Sequence, residues 1–226
     1  MLIVTWNVNS LRVRLPRVLE LLERHRPDVV CLQETKCAPD MFPVAELSEA
    51  GYGAVHHSAG QWAGVALIAR SPLTLEDPRL GLPGEPVATE ARWCEATVAG
   101  IRFASTYVPN GRSLDSDEYP RKLAFLDAIA RLAALPASQP RVIAGDLNIA
   151  PADIDVYDPE AFRGGTHVSA PERERLAEIL DAGLVDAYRQ LHPDRQQFTW
   201  WDYRAGHFHK GLGLRIDLAD QRQVDP

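Results

Sequence analysis

The sequence predicts an α/β fold in which two sheets are faced by helices on their outer sides, and three observations predict it. Short, wholly apolar runs at 29–32, 64–69 and 142–144 read as buried strands. Segments with apolar residues at three- and four-residue spacing alternate with them in both halves of the chain, as layered α/β architecture requires. Several strands also end in polar, acid-bearing clusters, so chemistry gathers where strands stop.

Taken in order, Leu2 to Val8 alternates apolar and polar residues around β-branched Ile3, Val4 and Thr5, a first strand with Asn7 and Asn9 at its end. Leu11, Leu15, Val18, Leu19 and Leu22 then mark an amphipathic helix, which Pro27-Asp28 punctuates. A second buried strand, Val29 to Leu32, delivers Gln33, Glu34, Thr35 and Lys36. Residues 39–51 read as a loop and a short helix, and Gly64 to Ala69 as another strand. Pro72 to Pro86 holds four prolines and little periodicity and reads as a surface loop. Arg92 to Val98 and Ile101 to Val108 flank Ala99-Gly100 as a hairpin that ends in Tyr107-Val-Pro-Asn-Gly111. Arg121 to Ala134 is helical by the spacing of Leu123, Leu126, Ile129 and Ala133. Ser169-Ala-Pro-Glu172 has the form of a capping box opening a helix that Gly183 ends. An aromatic segment, Phe198 to Arg204, and a last strand reading, Leu212 to Leu218, complete the series.

The stretch Arg141 to Ile149 carries the clearest chemistry. Its apolar run reads as a strand stopping at Gly145, where the backbone turns, and Asp146 and Asn148 follow. Residues two apart on extended chain point the same way, so a carboxylate and an amide leave side by side. That pair suits phosphate-ester hydrolysis, the acid aligning or deprotonating a water and the amide donating to phosphoryl oxygens. An Asx-type turn capped by its own side chains explains the same four residues, so the rest of the chain has to decide.

The totals narrow the class. The 226 residues suffice for one large domain, with 46% hydrophobic and 24% charged residues, ordinary values for a globular chain. The net charge of −7 argues against a protein that coats nucleic acid with a basic surface, yet not against a nuclease whose carboxylates hold a divalent cation. Cys31, Cys37 and Cys94 lack paired spacing and read as reduced thiols. There is no basic leader and no run approaching membrane-span length, so the expectation is a cytoplasmic protein with no membrane contact, and nothing suggests more than a monomer.

Trp6-Asn-Val-Asn-Ser-Leu11, Leu32-Gln-Glu-Thr-Lys36, Tyr107 to Gly111, Gly145-Asp-Leu-Asn148, Phe198 to Arg204 and Gly213 to Asp217 occur together in an order that resembles exonuclease III. That is the bacterial apurinic/apyrimidinic endonuclease of the exonuclease-endonuclease-phosphatase superfamily. The resemblance implies a four-layer α/β/β/α sandwich of two mixed sheets, and a DNA repair hydrolase that cuts 5′ of abasic sites in duplex DNA and trims 3′ ends. It implies Mg2+, or Mn2+, held by Glu34 with help from Asn7. It also implies that Asp146 positions the water, that Asn148 and Tyr107 hold the scissile phosphate, and that Asp217 acts beside the metal. Trp200, Leu214 and Ile216 match an apolar pocket for an extruded abasic sugar, whose flipping is cheapest where no base is stacked. Lys36, Arg121 and Lys122 read equally well as solvated charges or phosphate contacts.

The family's chain runs on to a Ser-Asp-His stretch. Here Leu218 is followed by Ala-Asp-Gln-Arg-Gln-Val-Asp-Pro226, without the apolar run expected there, and none of the seven histidines follows an aspartate. The expectation is a single domain, 1–226, that is C-terminally incomplete, with strands missing and catalysis impaired. Two other functions stay open: a relic that binds metal or DNA without efficient cleavage, and a phosphodiesterase of the same superfamily on a non-DNA substrate.

Overall fold

The computed structural model describes residues 1–203 and 206–222. A first sheet holds β1 (Ile3–Asn7), β2 (Val29–Gln33), β3 (Tyr52–His57) and β4 (Val65–Arg70) in the order β1-β2-β4-β3. A second holds β5 (Glu76–Leu80), β6 (Trp93–Val98), β7 (Ile101–Tyr107), β8 (Arg141–Asp146), β9 (Val185–Asp186) and β12 (Asp217–Arg222) in the order β5-β6-β7-β8-β12-β9. Both are mixed, parallel at β1-β2 and at β7-β8 and antiparallel elsewhere. A two-stranded ribbon pairs β10 (Trp200–Trp201) with β11 (Gly213–Leu214).

Alternation along single strands builds the layers. In β2, Val30 and Leu32 pack with Leu11, Val18 and Leu22 of α1 (Leu11–His25), whereas Val29 and Cys31 meet Ala96, Phe103, Val142 and Ala144 of the second sheet. Every β2 residue is therefore buried, as a strand covered on both faces must be. The far face of the second sheet, through Trp93, Ala104 and Ile143, packs on Phe125, Leu126 and Ile129 of α3 (Glu118–Ala134) and on Leu176 and Ile179 of α4 (Ala170–Asp181). The result is the expected α/β/β/α sandwich. Short helices α2 (Val44–Glu49), α5 (Ala187–Leu191) and α6 (His207–Lys210) lie in the connections. Among the described residues, no helix is long and apolar enough to cross a membrane, and all three cysteines are free and buried.

Three sequence readings are corrected. Residues 72–86 contain β5, exposed along its whole length. An edge strand with no buried face shows no periodicity, and it tolerates Pro78 because one side has no ladder to satisfy. The strand through Val142 does not stop at Gly145: it runs to Asp146. Glycine is needed at 145 for a different reason, because a Cβ there would lie 2.0 Å from the Thr106 carbonyl oxygen of β7. The residues after Leu218 continue as β12, pairing with β8 from Asp217 to Arg222 despite their polar character. That pairing buries Asp220 completely, with neither carboxylate oxygen hydrogen-bonded.

Candidate active site

Strand register assembles the floor of one cleft. In the second sheet Tyr107, Asp146 and Asp217 are direct neighbours across β7, β8 and β12. In the first sheet Asn7 is opposite Gln33, so Glu34 follows one residue beyond the pair. The two sheets meet at the Asn7 amide, which donates to Glu34 Oε1 at 2.6 Å and to Asp146 Oδ2 at 2.9 Å. Asn148 joins them by donating its backbone N–H to Asp146 Oδ1 at 2.9 Å, while its side-chain amide donates to the Val108 carbonyl at 2.9 Å.

The turns beyond these strands are held in conformations that side chains rarely adopt. Asn9, Glu34, Lys36 and Asn148 all have φ between 43° and 53°. Such residues cluster where surrounding structure over-determines them, commonly at functional sites. Around Glu34 the determinants are visible: Ser10 and Leu11 donate backbone N–H groups to the Glu34 and Thr35 carbonyls, and Thr35 N–H donates to Gly64. At Gly64 (φ 90°) a Cβ would lie 2.2 Å from the Thr35 hydroxyl.

The electrostatics follow from burial. Asp146 is pushed well above the usual carboxylate range, first by burial and then by the charge of Asp217. Asp217 rises to about 6, again mainly through burial, and its Oδ1 has no hydrogen-bond partner. Burial and the nearby Glu34 and Asp146 charges raise Tyr107, which keeps its phenol protonated and able to donate. Glu34 Oε2 is paired with Lys36 at 2.6 Å.

Above the floor is a cleft of about 870 Å³ whose lining includes Glu34, Asp146 and Asp217 below and Trp6, Trp200, Trp201, Tyr203, His207 and Phe208 around the sides. Of the three residues assigned to a sugar pocket, only Trp200 reaches this wall. Leu214 and Ile216 are 0% and 2% exposed and belong to a small core with Ala150 and Val156, against which Trp200 packs. Their apolar character marks core here, covered by Phe162, Val168 and Trp200.

Lys122 needs the largest correction. It is neither solvated nor at a phosphate surface: it is fully buried and ion-paired with Glu172 of α4. Asn110, His167 and Thr199 also adjoin the site without having been singled out. Asn110 Nδ2 donates to Asn148 Oδ1 at 3.2 Å, His167 Nδ1 donates to the Asn148 carbonyl at 2.6 Å, and the Thr199 hydroxyl accepts from Asp217 N–H at 3.1 Å. Asn110 lies in the Val-Pro-Asn-Gly stretch and Thr199 in the Phe198 to Arg204 segment, which were their available signals; His167 has none.

For a divalent cation the donor chemistry fits. Glu34, the Asn7 amide oxygen and the unpartnered Asp217 Oδ1 are hard oxygen donors within one cleft. Among the described residues no three acidic, histidine or cysteine side chains form a cluster that could hold a metal.

A sandwich of this kind, with carboxylates, amides and a phenol at one end of both sheets, defines a class of phosphate-ester hydrolase. Residues 4–219 match the Endonuclease/Exonuclease/phosphatase family. An exodeoxyribonuclease of Bacillus subtilis is 30% identical over 96% of this chain and 86% of its own. A 3′ phosphatase from Neisseria, solved with a product DNA hairpin, is 40% identical with a TM-score of 0.95, over 98% of this chain and 86% of that one. An AP endonuclease from Archaeoglobus fulgidus is 36% identical with a TM-score of 0.92, over 98% and 86%. The chain belongs to this family, and within it to the exonuclease III/AP endonuclease group of metal-dependent DNA repair nucleases.

Proposed function

We propose that this chain is a Mg2+-dependent hydrolase, Mn2+ being an alternative cofactor, that cleaves duplex DNA 5′ to abasic sites and removes nucleotides from 3′ ends. It would act as one domain, as a monomer and in the cytoplasm. The observation that carries the reading is the Asn7 amide bonded at once to Glu34 and Asp146, which draws both sheets to one reacting centre.

Each residue then has a role set by its surroundings. A cation at Glu34 and Asn7 would stabilise negative charge on the phosphoryl oxygens. Asp146, its proton affinity raised by burial, is placed to take a proton from the attacking water. Tyr107 and Asn148 donate hydrogen bonds where charge develops on the phosphate. Asp217 adds the negative charge that raises Asp146.

A second reading, preference for 3′ ends over internal abasic sites, is favoured by the burial of Leu214 and Ile216, which leaves Trp200 alone of the three assigned pocket residues facing the cleft. The deciding assay uses two fluorescent duplexes, one with an internal tetrahydrofuran abasic analogue and one with a 3′-terminal label, each with and without Mg2+ and beside Glu34→Ala. Metal-dependent cleavage of both, abolished in Glu34→Ala, supports the full activity; cleavage of the 3′ end alone supports the second. Folded protein that cleaves neither points to a member that binds without efficient turnover.

A further inference from the structure

The proposed hydrolysis needs the Asn148 amide held still, and its backbone sits at φ 53°, in the left-handed region that asparagine enters more readily than other side chains do. The constraint comes from a buried charge. The Lys122 ammonium donates to the Asn148 carbonyl at 2.7 Å, to the Asn110 carbonyl at 3.2 Å and to the Thr166 hydroxyl at 3.2 Å, and it is ion-paired with Glu172. Both side chains are fully buried.

Glu172 anchors the other half of the network. Its carboxylate accepts from Thr166 Oγ1 at 2.7 Å, from His167 N–H at 3.0 Å and from Ser169 N–H at 3.0 Å. This fixes the segment that presents His167, whose Nδ1–H is a second donor to the Asn148 carbonyl. With Nδ1 carrying the proton, Nε2 is left to accept from Asn110 Nδ2 at 3.4 Å, and that same amide nitrogen holds Asn148 Oδ1. The glutamate that caps a helix at the sequence level therefore closes a ring around a catalytic asparagine.

We propose that Lys122 and Glu172 form a positioning pair for the reaction, setting the Asn148 backbone and, through His167 and Asn110, the orientation of the Asn148 amide toward the phosphate. The proposal rests on the function assigned above but has a signature that does not depend on turnover. A purely structural ion pair would add stability without selecting one histidine tautomer or one amide orientation.

The variant is Lys122→Met with Glu172→Gln, which removes both charges together and avoids leaving either one buried alone. The first measurement is the 15N spectrum of His167 and of the Asn148 side-chain amide in folded protein without DNA. A single Nδ1–H tautomer in the parent, replaced by a mixture with a displaced Asn148 amide signal in the variant, is expected; identical spectra overturn the proposal. The second is steady-state cleavage of the substrate the parent cuts, where kcat should fall about 30-fold with KM within about threefold, the pattern of lost orientation. A kcat within about threefold of the parent overturns it. Should the double variant fail to fold, Thr166→Val removes one partner of the ammonium and leaves the charges in place. Its His167 spectrum must then change for the proposal to stand. An inactive parent would defeat the functional reading alone, because the spectra still decide the positioning.

Discussion

The floor and the wall of the cleft are built by opposite means. Each floor residue stands at or just beyond one end of a regular sheet strand, and Asn7, Glu34, Asp146 and Asn148 are tied to one another. Apart from Trp6, the wall comes from a two-residue strand, a four-residue helix and the turn between them, with Tyr203 82% and Phe208 64% exposed. Reacting groups need positions fixed to a fraction of an ångström, whereas surfaces that select substrates can adapt on contact. The comparison predicts that floor substitutions act on kcat and wall substitutions on KM.

The largest effect should come from Asp146→Asn, which keeps the shape of the floor and removes the proton acceptor. We expect kcat to fall by about 1000-fold or more with little change in KM, measured on Mg2+-dependent cleavage. Asp220→Leu tests the strand that carries Asp217. That strand begins at Asp217 and three residues later buries an acid without a partner, so replacing that acid should raise stability by about 2 kcal/mol in urea unfolding at pH 8. Trp200→Ala should raise KM about 10-fold with kcat held within a few-fold, and should uncover Leu214 and Ile216. Tyr203→Ala, at the most exposed point of the wall, should change KM by no more than about threefold. A kcat defect as large in Trp200→Ala as in Asp146→Asn would erase the distinction.

Two buried groups give the protein opposing pH dependences. Asp220 is raised to about 7, chiefly by burial and then by the charge of Asp186, with Arg215 acting the other way. The folded state therefore holds a proton that the unfolded chain releases near 3.8, and stability is lost as pH rises from about 4 to about 7. His167 is lowered to about 4, chiefly by burial and then by the Lys122 charge. The unfolded chain takes up a proton below about 6.5 that the folded protein refuses, so this contribution is lost as pH falls from about 6.5 to about 4. Urea midpoints across pH 4.5 to 8 should show the first slope vanish in Asp220→Asn and the second in His167→Gln.

Residues at strand ends were legible because two local signals coincide there, an apolar run and the polar cluster that stops it. Asn7, Glu34, Tyr107, Asp146, Asn148 and Asp217 all carry both; Asn7, Glu34, Asp146 and Asp217 line one cleft, with Tyr107 next to Asp146 in register and Asn148 hydrogen-bonded to it. Lys122 carried neither. A lysine on an amphipathic helix looks the same in sequence whether water or a glutamate 50 residues away meets its ammonium. Glu172 was legible as the reciprocal arm of a capping box, a local role that hid the distant one. β5 was hidden because an exposed edge strand buries no face, and the burial of Leu214 and Ile216 because core and pocket draw on the same apolar side chains.

The Asn7 amide spans the seam between the two sheets with one nitrogen atom. It therefore works as a built-in gauge: when either carboxylate is drawn toward a bound cation or phosphate, one of its two hydrogens must lengthen its bond before the other. The side-chain 15N–1H signals of a single asparagine should then report loading of the site in real time, without a dye, a label on DNA or a completed turnover.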